Sequence, residues 1–348
     1  MLKAAPRILY LGDDEWASLS WSLQKAFRAL GCHVDFHDVT GRWELRWLAP
    51  RSIAARGLAR VLRPWLPRLI QTRLTHATQG QHYDMIFCHK TMFLAAEFLD
   101  KLRHDLGARL FCFHPDDPFD EHPSRNNANT RALIPFTDCY FAWGRYRLGD
   151  LRDAGARRVE YLPFAHDPSL HRPVSGGAAP RSDPVPAVAF VGNFSRERAQ
   201  WLEHLVGFDL GLWGHGWHRA STLEPGLEPF IKGPPRIGPA FAEIYGRCAI
   251  GLNLIQRCPD GHNMRSFEAP ACGGFVMSNR TKELGELFAE DKEIVCFADP
   301  EELRSKVSFY LQRPDLRAQI AQAGLKRVRA ETYEMRAARI LEVLAEGC

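Results

Sequence analysis

The feature that most constrains this chain is a repeated alternation of short apolar runs with helical stretches stopped by glycine. Ile8–Leu11 is apolar and closes on Gly12-Asp13-Asp14, Ser18–Leu30 has helical character ended by Gly31, and His33–His37 reads as a second strand. Tyr83–Cys88, Arg109–Phe113, Cys139–Ala142 and Val159–Leu162 continue as strands, with helices expected at Met92–Leu106 and Arg145–Ala154. After an irregular stretch the alternation restarts. Strands Ala187–Val191, Leu210–Trp213, Ala249–Ile255, Phe275–Ser278 and Glu293–Phe297 alternate with helices Glu197–Val206, Ile237–Gly246, Lys282–Phe288 and Glu301–Leu311. Two further helices, Asp315–Arg329 and Thr332–Ala345, close the chain. Strands joined through helices pair in parallel under cover on both faces, so the class is α/β with doubly wound, Rossmann-like sheets.

At 348 residues the chain exceeds one ordinary core. Pro168–Pro186, PSLHRPVSGGAAPRSDPVP, is rich in Pro, Gly, Ser and Ala and lacks periodicity, which marks a linker. The expected division is a first Rossmann-like domain at 1–167, the linker at 168–186, a second domain at 187–331, and a C-terminal helix at 332–348 packing back on the first domain. Two such domains on a linker predict a ligand cleft between them. A net charge of +4 suits an anionic small ligand or a membrane surface and is too weak for nucleic acid. The nine cysteines are scattered without a C-x-x-C pair and read as reduced, buried thiols of a cytoplasmic protein. The opening MLKAAPRILYLGDDE is no signal peptide, and no apolar run reaches the length of a membrane span. Arg42–Arg73 carries eight arginines with Trp43, Trp47 and Trp65 against one acid, Glu44. That pattern suits peripheral contact with anionic headgroups at the inner membrane face, or a solvated basic surface with its tryptophans packed inward. Pro64 and Pro67 are expected to break any long helix there.

Two stretches carry candidate chemistry. Asp260–Gly274, DGHNMRSFEAPACGG, follows an apolar strand and leads through a short helix to a Gly-Gly stop. A loop leaving a parallel strand for a helix offers N–H groups to phosphate, and an ionised carboxylate there accepts from sugar hydroxyls. Asp260 and Glu268 flank seven residues that include Arg265, and Pro270 predicts a short or kinked helix. HPDDPFDEH (114–122) empties from the strand at Arg109–Phe113 and holds His114, Asp116, Asp117, Asp120, Glu121 and His122. It reads as a metal site, as acid–base chemistry at a strand end, or as an exposed turn. Glu268 and Arg265 also have bland readings, as a helix-face ion pair. Lone Gly12 is a backbone turn rather than a dinucleotide fingerprint.

FVGNFS (190–195), LWGHGW (212–217), AIGLNL (249–254), NMRSFEAPACGGF (263–275) and EELRSKVSFYLQRPDLRAQIAQAGLKRV near the end resemble CgeB-like, group 1 glycosyltransferases of the GT-B fold. The resemblance covers most of 186–340, and reaches the first half mainly through DDPF at 116–119. It implies a metal-independent, retaining glycosyltransferase without a cofactor, using a nucleotide-diphosphate sugar as donor substrate and a glycan, lipid-linked or protein acceptor. By the same resemblance Glu268 holds the ribose, Asp260 lies near the donor sugar where related enzymes carry Glu, and Arg265 meets the diphosphate. Gly192 with Arg196 or Arg198 completes the phosphate cradle, and Asn193, Gly214, His215, Asn263 and Ser266 fall on the donor side. His114 faces the donor sugar, and Asp116 or Asp117 orients or deprotonates the acceptor. The Asp at 260 keeps open a catalytically silent module that binds a sugar nucleotide or a partner, and an epimerase or phosphorylase-like enzyme is a third reading.

Overall fold

In the computed structural model, which describes residues 5–41, 63–120, 128–174, 184–256 and 260–347, each half of the alternation closes into its own six-stranded parallel sheet. The chain divides into one unit of Met1–Pro163 with Tyr333–Cys348 and another of Phe164–Thr332. The segments 42–62, 121–127 and 175–183, with Glu121, His122, most of the Arg/Trp stretch and the middle of the expected linker, lie outside the described residues.

The first sheet comprises β1 (Arg7–Gly12), β2 (His33–Asp38), β3 (Met85–Cys88), β4 (Arg109–Cys112), β5 (Cys139–Ala142) and β6 (Val159–Tyr161), in the order β2-β1-β3-β4-β5-β6. Ile8–Leu11 and Met85–Cys88 are buried throughout, as strands covered on both faces must be. Ser18 starts the helix Leu19–Ala29 by accepting the Trp21 N–H on its hydroxyl at 3.1 Å, and Gly31 takes the left-handed turn that follows. The helix Leu66–Thr78 begins where the prolines are expected to interrupt a longer one. Pro67 lies in its first turn, where its missing N–H has no intrahelical partner to lose. The helix buries Leu66, Ile70 and Leu74 in one stripe. The final helix, Tyr333–Glu346, packs against Leu19–Ala29. Arg109 holds it by donating to the Leu344 carbonyl at 2.8 Å, with ion pairs Arg158–Glu346 at 2.6 Å and Arg339–Glu160 at 3.1 Å.

The second sheet comprises β7 (Val188–Val191), β8 (Leu210–Trp213), β9 (Ile231–Gly233), β10 (Ile250–Asn253), β11 (Val276–Asn279) and β12 (Val295–Phe297), in the order β12-β11-β10-β7-β8-β9. β9 has no counterpart in the expected alternation, because a three-residue, half-exposed edge strand carries no apolar run. Residues 164–174 belong to this unit, so its boundary falls before the Pro-rich stretch. Strand order reverses between β1 and β3 in one sheet and between β7 and β10 in the other. Those switch points open crevices at the carboxyl ends of the strands.

Candidate functional site

At the second switch point the chain leaves β10 through a loop pinned from below. Buried Asn253 accepts from the Asn263 amide at 2.9 Å and donates to the Ser266 hydroxyl at 3.2 Å. The Asn263 oxygen accepts the Ser266 N–H at 3.2 Å, in the first turn of the helix Arg265–Ala271. Asn263 and Ser266 therefore hold the start of this helix in place. The helix is short, with Pro270 inside it. It ends on Gly273 and Gly274, and a side chain at Gly274 would lie 2.3 Å from the Tyr245 carbonyl.

Arg265 and Glu268 stand one turn apart on this helix. Arg265 donates through Nε to the carbonyl of Val191, the last residue of β7, at 2.6 Å. The guanidinium thus spans the crevice between β10 and β7. It lies 5.8 Å from the centre of the Phe241 ring. Glu268 is half-buried, with Oε1 3.9 Å from Nε2 of the buried His171. His171 Nδ1 accepts the Asp167 N–H at 3.3 Å, which leaves the ring proton on Nε2. Burial holds this imidazole below its usual pKa, while the Glu268 and Asp167 carboxylates pull the other way.

Two glycine-bearing loops border the same crevice. Gly192 donates to the Trp213 carbonyl at 2.8 Å, and its own carbonyl accepts from the Trp217 indole at 2.8 Å. The Asn193 side chain accepts the His215 N–H at 3.1 Å, and Phe194 donates to the His215 carbonyl at 2.8 Å. Gly214 has φ of +155°, and a Cβ there would lie 2.0 Å from the Gly192 carbonyl oxygen. Only glycine lets the two loops close on each other. Arg198 spans the carbonyls of Asn193 and Leu254, each at 2.9 Å, and so braces the loop. Arg196 stands exposed at the first position of the helix Arg196–Glu203.

Asp260 stands at the other end of the same loop. Its side chain is exposed, and its carbonyl accepts the Glu283 N–H at 3.1 Å, at the start of the helix Lys282–Leu287. Neighbouring His262 is fully buried between the Glu283 carboxylate, 3.3 Å from Nδ1, and the Phe164 N–H, 3.2 Å from Nε2. This part of the loop is fastened to the helix after β11, whereas Glu268 rides on the helix before it.

The first switch point is built from ion pairs. Asp13, after β1, meets Lys90, after β3, at 3.0 Å. Burial works against the Asp13 charge, but the Lys90 ammonium holds the carboxyl below its usual range. Lys90 sits at φ +50°, an uncommon conformation for a residue other than glycine. His89 is buried with Nδ1 2.8 Å from the Phe113 carbonyl, and burial, followed by the Lys90 charge, pushes its pKa down to about 3. His114 is buried, with Nδ1 3.2 Å from the Asp116 N–H. The Asp117 carboxylate accepts from the Phe119 N–H at 2.9 Å and from Arg147 at 2.8 and 2.9 Å. Lys90, His89 and His171 belong to none of the motifs legible in the sequence. Asp13 and Lys90 lie far apart in sequence, and His171 sits in a stretch whose composition suggests a linker.

Residues 196–342 match the model of a glycosyl transferase-like family. No curated protein matches the chain in sequence. Among solved structures, a sucrose-phosphate synthase from Thermosynechococcus elongatus is similar at a TM-score of 0.72 and 16% identity, over 98% of each chain. HepE of Anabaena, in complex with UDP and glucose, is similar at a TM-score of 0.66 and 15% identity, over 98% of this chain and 100% of that one. A glycosyltransferase from Rickettsia africae is similar at a TM-score of 0.65 and 11% identity, over 98% of each. At such identities the likeness is one of architecture, and that architecture is GT-B.

Proposed function

Starting from a family match and a GT-B architecture that support a group 1 glycosyltransferase, we propose that the chain moves a sugar from a nucleotide-diphosphate sugar to a glycan, lipid-linked or protein acceptor. One observation carries the reading: Arg265 bridges the switch-point crevice to Val191 while Glu268 stands one turn behind it. Glu268 accepts from the ribose hydroxyls, since an ionised carboxylate can take two donors at once. Arg265, with its terminal nitrogens, meets the diphosphate in bidentate fashion. The Gly192 and Gly214 loops let backbone approach the ligand closely.

Glycosyl transfer builds positive charge on the sugar and negative charge on the departing diphosphate. A guanidinium already fixed by its own carbonyl bond stabilises that growing charge without reorganising, so no metal is needed. We take the reaction as retaining from the resemblance of the donor motifs. UDP-glucose is the first donor to test, because the Anabaena HepE structures hold UDP-glucose, UDP and glucose. On the acceptor side Asp117 is committed to Arg147, which leaves Asp116, beside His114, to orient the acceptor hydroxyl. We place the protein in the cytoplasm, with peripheral contact at the inner membrane face. Trp65 and Leu69 are exposed on or beside a helix without acidic residues, and the Arg68 guanidinium lies 5.6 Å from the Trp65 ring centre.

The test is a thermal-shift panel of UDP, GDP, dTDP and their common sugars, followed by transfer or hydrolysis of the best donor. At a hundredfold excess over its Kd a true ligand adds about 2.7 kcal/mol. Glu268→Ala should weaken nucleotide binding by roughly 10- to 100-fold, the value of charge-assisted hydrogen bonds. No stabilisation by any nucleotide would sink the reading. Binding without transfer or hydrolysis would favour the silent module.

A further inference from the structure

We propose that His171 is a positioning residue for Glu268, aiming the carboxylate at the ribose through its Nε2–H. The inference rests on the reading of Glu268 as the ribose ligand and adds a group outside every motif that pointed to the site.

The placement of His171 is fixed independently of any ligand. Asp167 organises a tight turn. Its carboxylate accepts the Ser169 N–H at 2.8 Å and the Ser169 hydroxyl at 2.7 Å, and its carbonyl accepts the Leu170 and His171 N–H groups at 3.0 and 2.8 Å. Its N–H occupies His171 Nδ1, which dictates the tautomer. The turn is held against the donor helix from the other side. Pro173 stands 3.5 Å from where a Cβ on Gly273 would be, and Val174 stands 3.3 Å from the same point on Gly246. The imidazole also meets the Phe241 ring edge-on at 5.6 Å, and Phe241 backs Arg265 at 5.8 Å. One aromatic wall therefore supports both His171 and the diphosphate partner.

The chemistry suits an orienting group. At 3.9 Å Nε2 is too far for a direct hydrogen bond, yet close enough for the N–H dipole to act on one oxygen of Glu268. A buried neutral imidazole leaves the full negative charge on Glu268 for the ribose. A lysine or arginine in its place would compete for the same oxygens.

The experiment compares UDP with 2′-deoxy-UDP by calorimetric titration, with GDP and 2′-deoxy-GDP as a second pair, on the full chain. Four proteins are needed: wild type, Glu268→Ala, His171→Gln and His171→Asn. The Asn side chain retains an acceptor near the Nδ1 position and loses the outer donor; Gln reaches with an amide N–H to the Nε2 position. Wild type should prefer the ribonucleotide by about tenfold or more, and Glu268→Ala should abolish the preference. His171→Asn should reduce it to within about threefold, while His171→Gln keeps most of it. An undiminished preference in His171→Asn would overturn the proposal, as would an equal loss of affinity for both nucleotides in His171→Asn and His171→Gln. A wild type without ribose preference, or Glu268→Ala with the preference intact, would instead defeat the assignment of Glu268, and the role of His171 with it.

Discussion

The carboxyl ends of the two sheets meet the same geometric problem with opposite means. After β1, β3 and β4 the first unit gathers charge, and much of that charge is paired internally: Asp13 with Lys90 and Asp117 with Arg147. After β7, β8 and β10 the second unit gathers backbone. Arg265 and Arg198 are braced on carbonyls, and glycine at 192, 214 and 274 removes side-chain bulk. Density of titratable residues is therefore a poor guide to how a strand-end crevice is built. HPDDPFDEH holds more ionisable groups than NMRSFEAP, but one of its two adjacent carboxylates is already bound by an arginine. In the second unit Arg265 and Arg198 both bridge the ends of β7 and β10 through backbone carbonyls.

The sharpest way to break this contrast is to put a methyl group where the second unit depends on its absence. Gly214→Ala would force a Cβ to within 2.0 Å of the Gly192 carbonyl oxygen at a positive φ. The loop pair must then open, at roughly 3–5 kcal/mol from overpacking and backbone strain combined. Calorimetry should show the second unit unfolding earlier and nucleotide stabilisation lost. A variant that melts and binds like wild type would mean that the glycine loops are no part of the site.

Asp117→Asn probes the other side of the comparison. With Asp117 buried and Arg147 about a third exposed, loss of the pair should destabilise the first unit by about 2–3 kcal/mol, below the figure for a fully buried pair. Nucleotide affinity should stay within about twofold. If stability holds and transfer collapses instead, Asp117 acts on substrate and the charge of the first crevice is not structural.

What the sequence made legible follows the range over which each feature is encoded. The strands were visible because full burial on both faces demands unbroken apolar runs such as Ile8–Leu11 and Met85–Cys88. Glu268 and Arg265 were visible because one helical turn separates them. Asn263 and Ser266 were found as part of the motif, but their place in the polar triangle under the helix depends on Asn253, a strand away. Asp260 was found through its spacing from Glu268 and the resemblance, whereas the tie of its carbonyl to Glu283 lay beyond both. Pro67 marked a helix boundary, but that the helix begins there rather than ends depends on a register that composition does not record. His171 and Lys90 were out of reach: each matters through a partner brought close only by the fold.

The smallest expected effect separates the two regions by pH. His89 in the first crevice has its pKa pushed down to about 3, chiefly by burial, against about 6.5 for an unfolded histidine. The unfolded chain therefore takes up a proton first as pH falls. Stability of the first unit is full above about pH 6.5 and declines below it, continuing towards pH 3, where the folded form also protonates. By pH 5 the loss should reach at most about 2 kcal/mol, at 1.36 kcal/mol per unit. His89→Asn retains a donor for the Phe113 carbonyl but cannot titrate. It should lower stability by a constant amount and flatten this part of the pH profile. Melting followed from pH 7.5 to 5 in both proteins decides the matter: parallel slopes would mean that the acid sensitivity arises elsewhere, and that the buried histidine is not what distinguishes the charged crevice from the backbone-lined one.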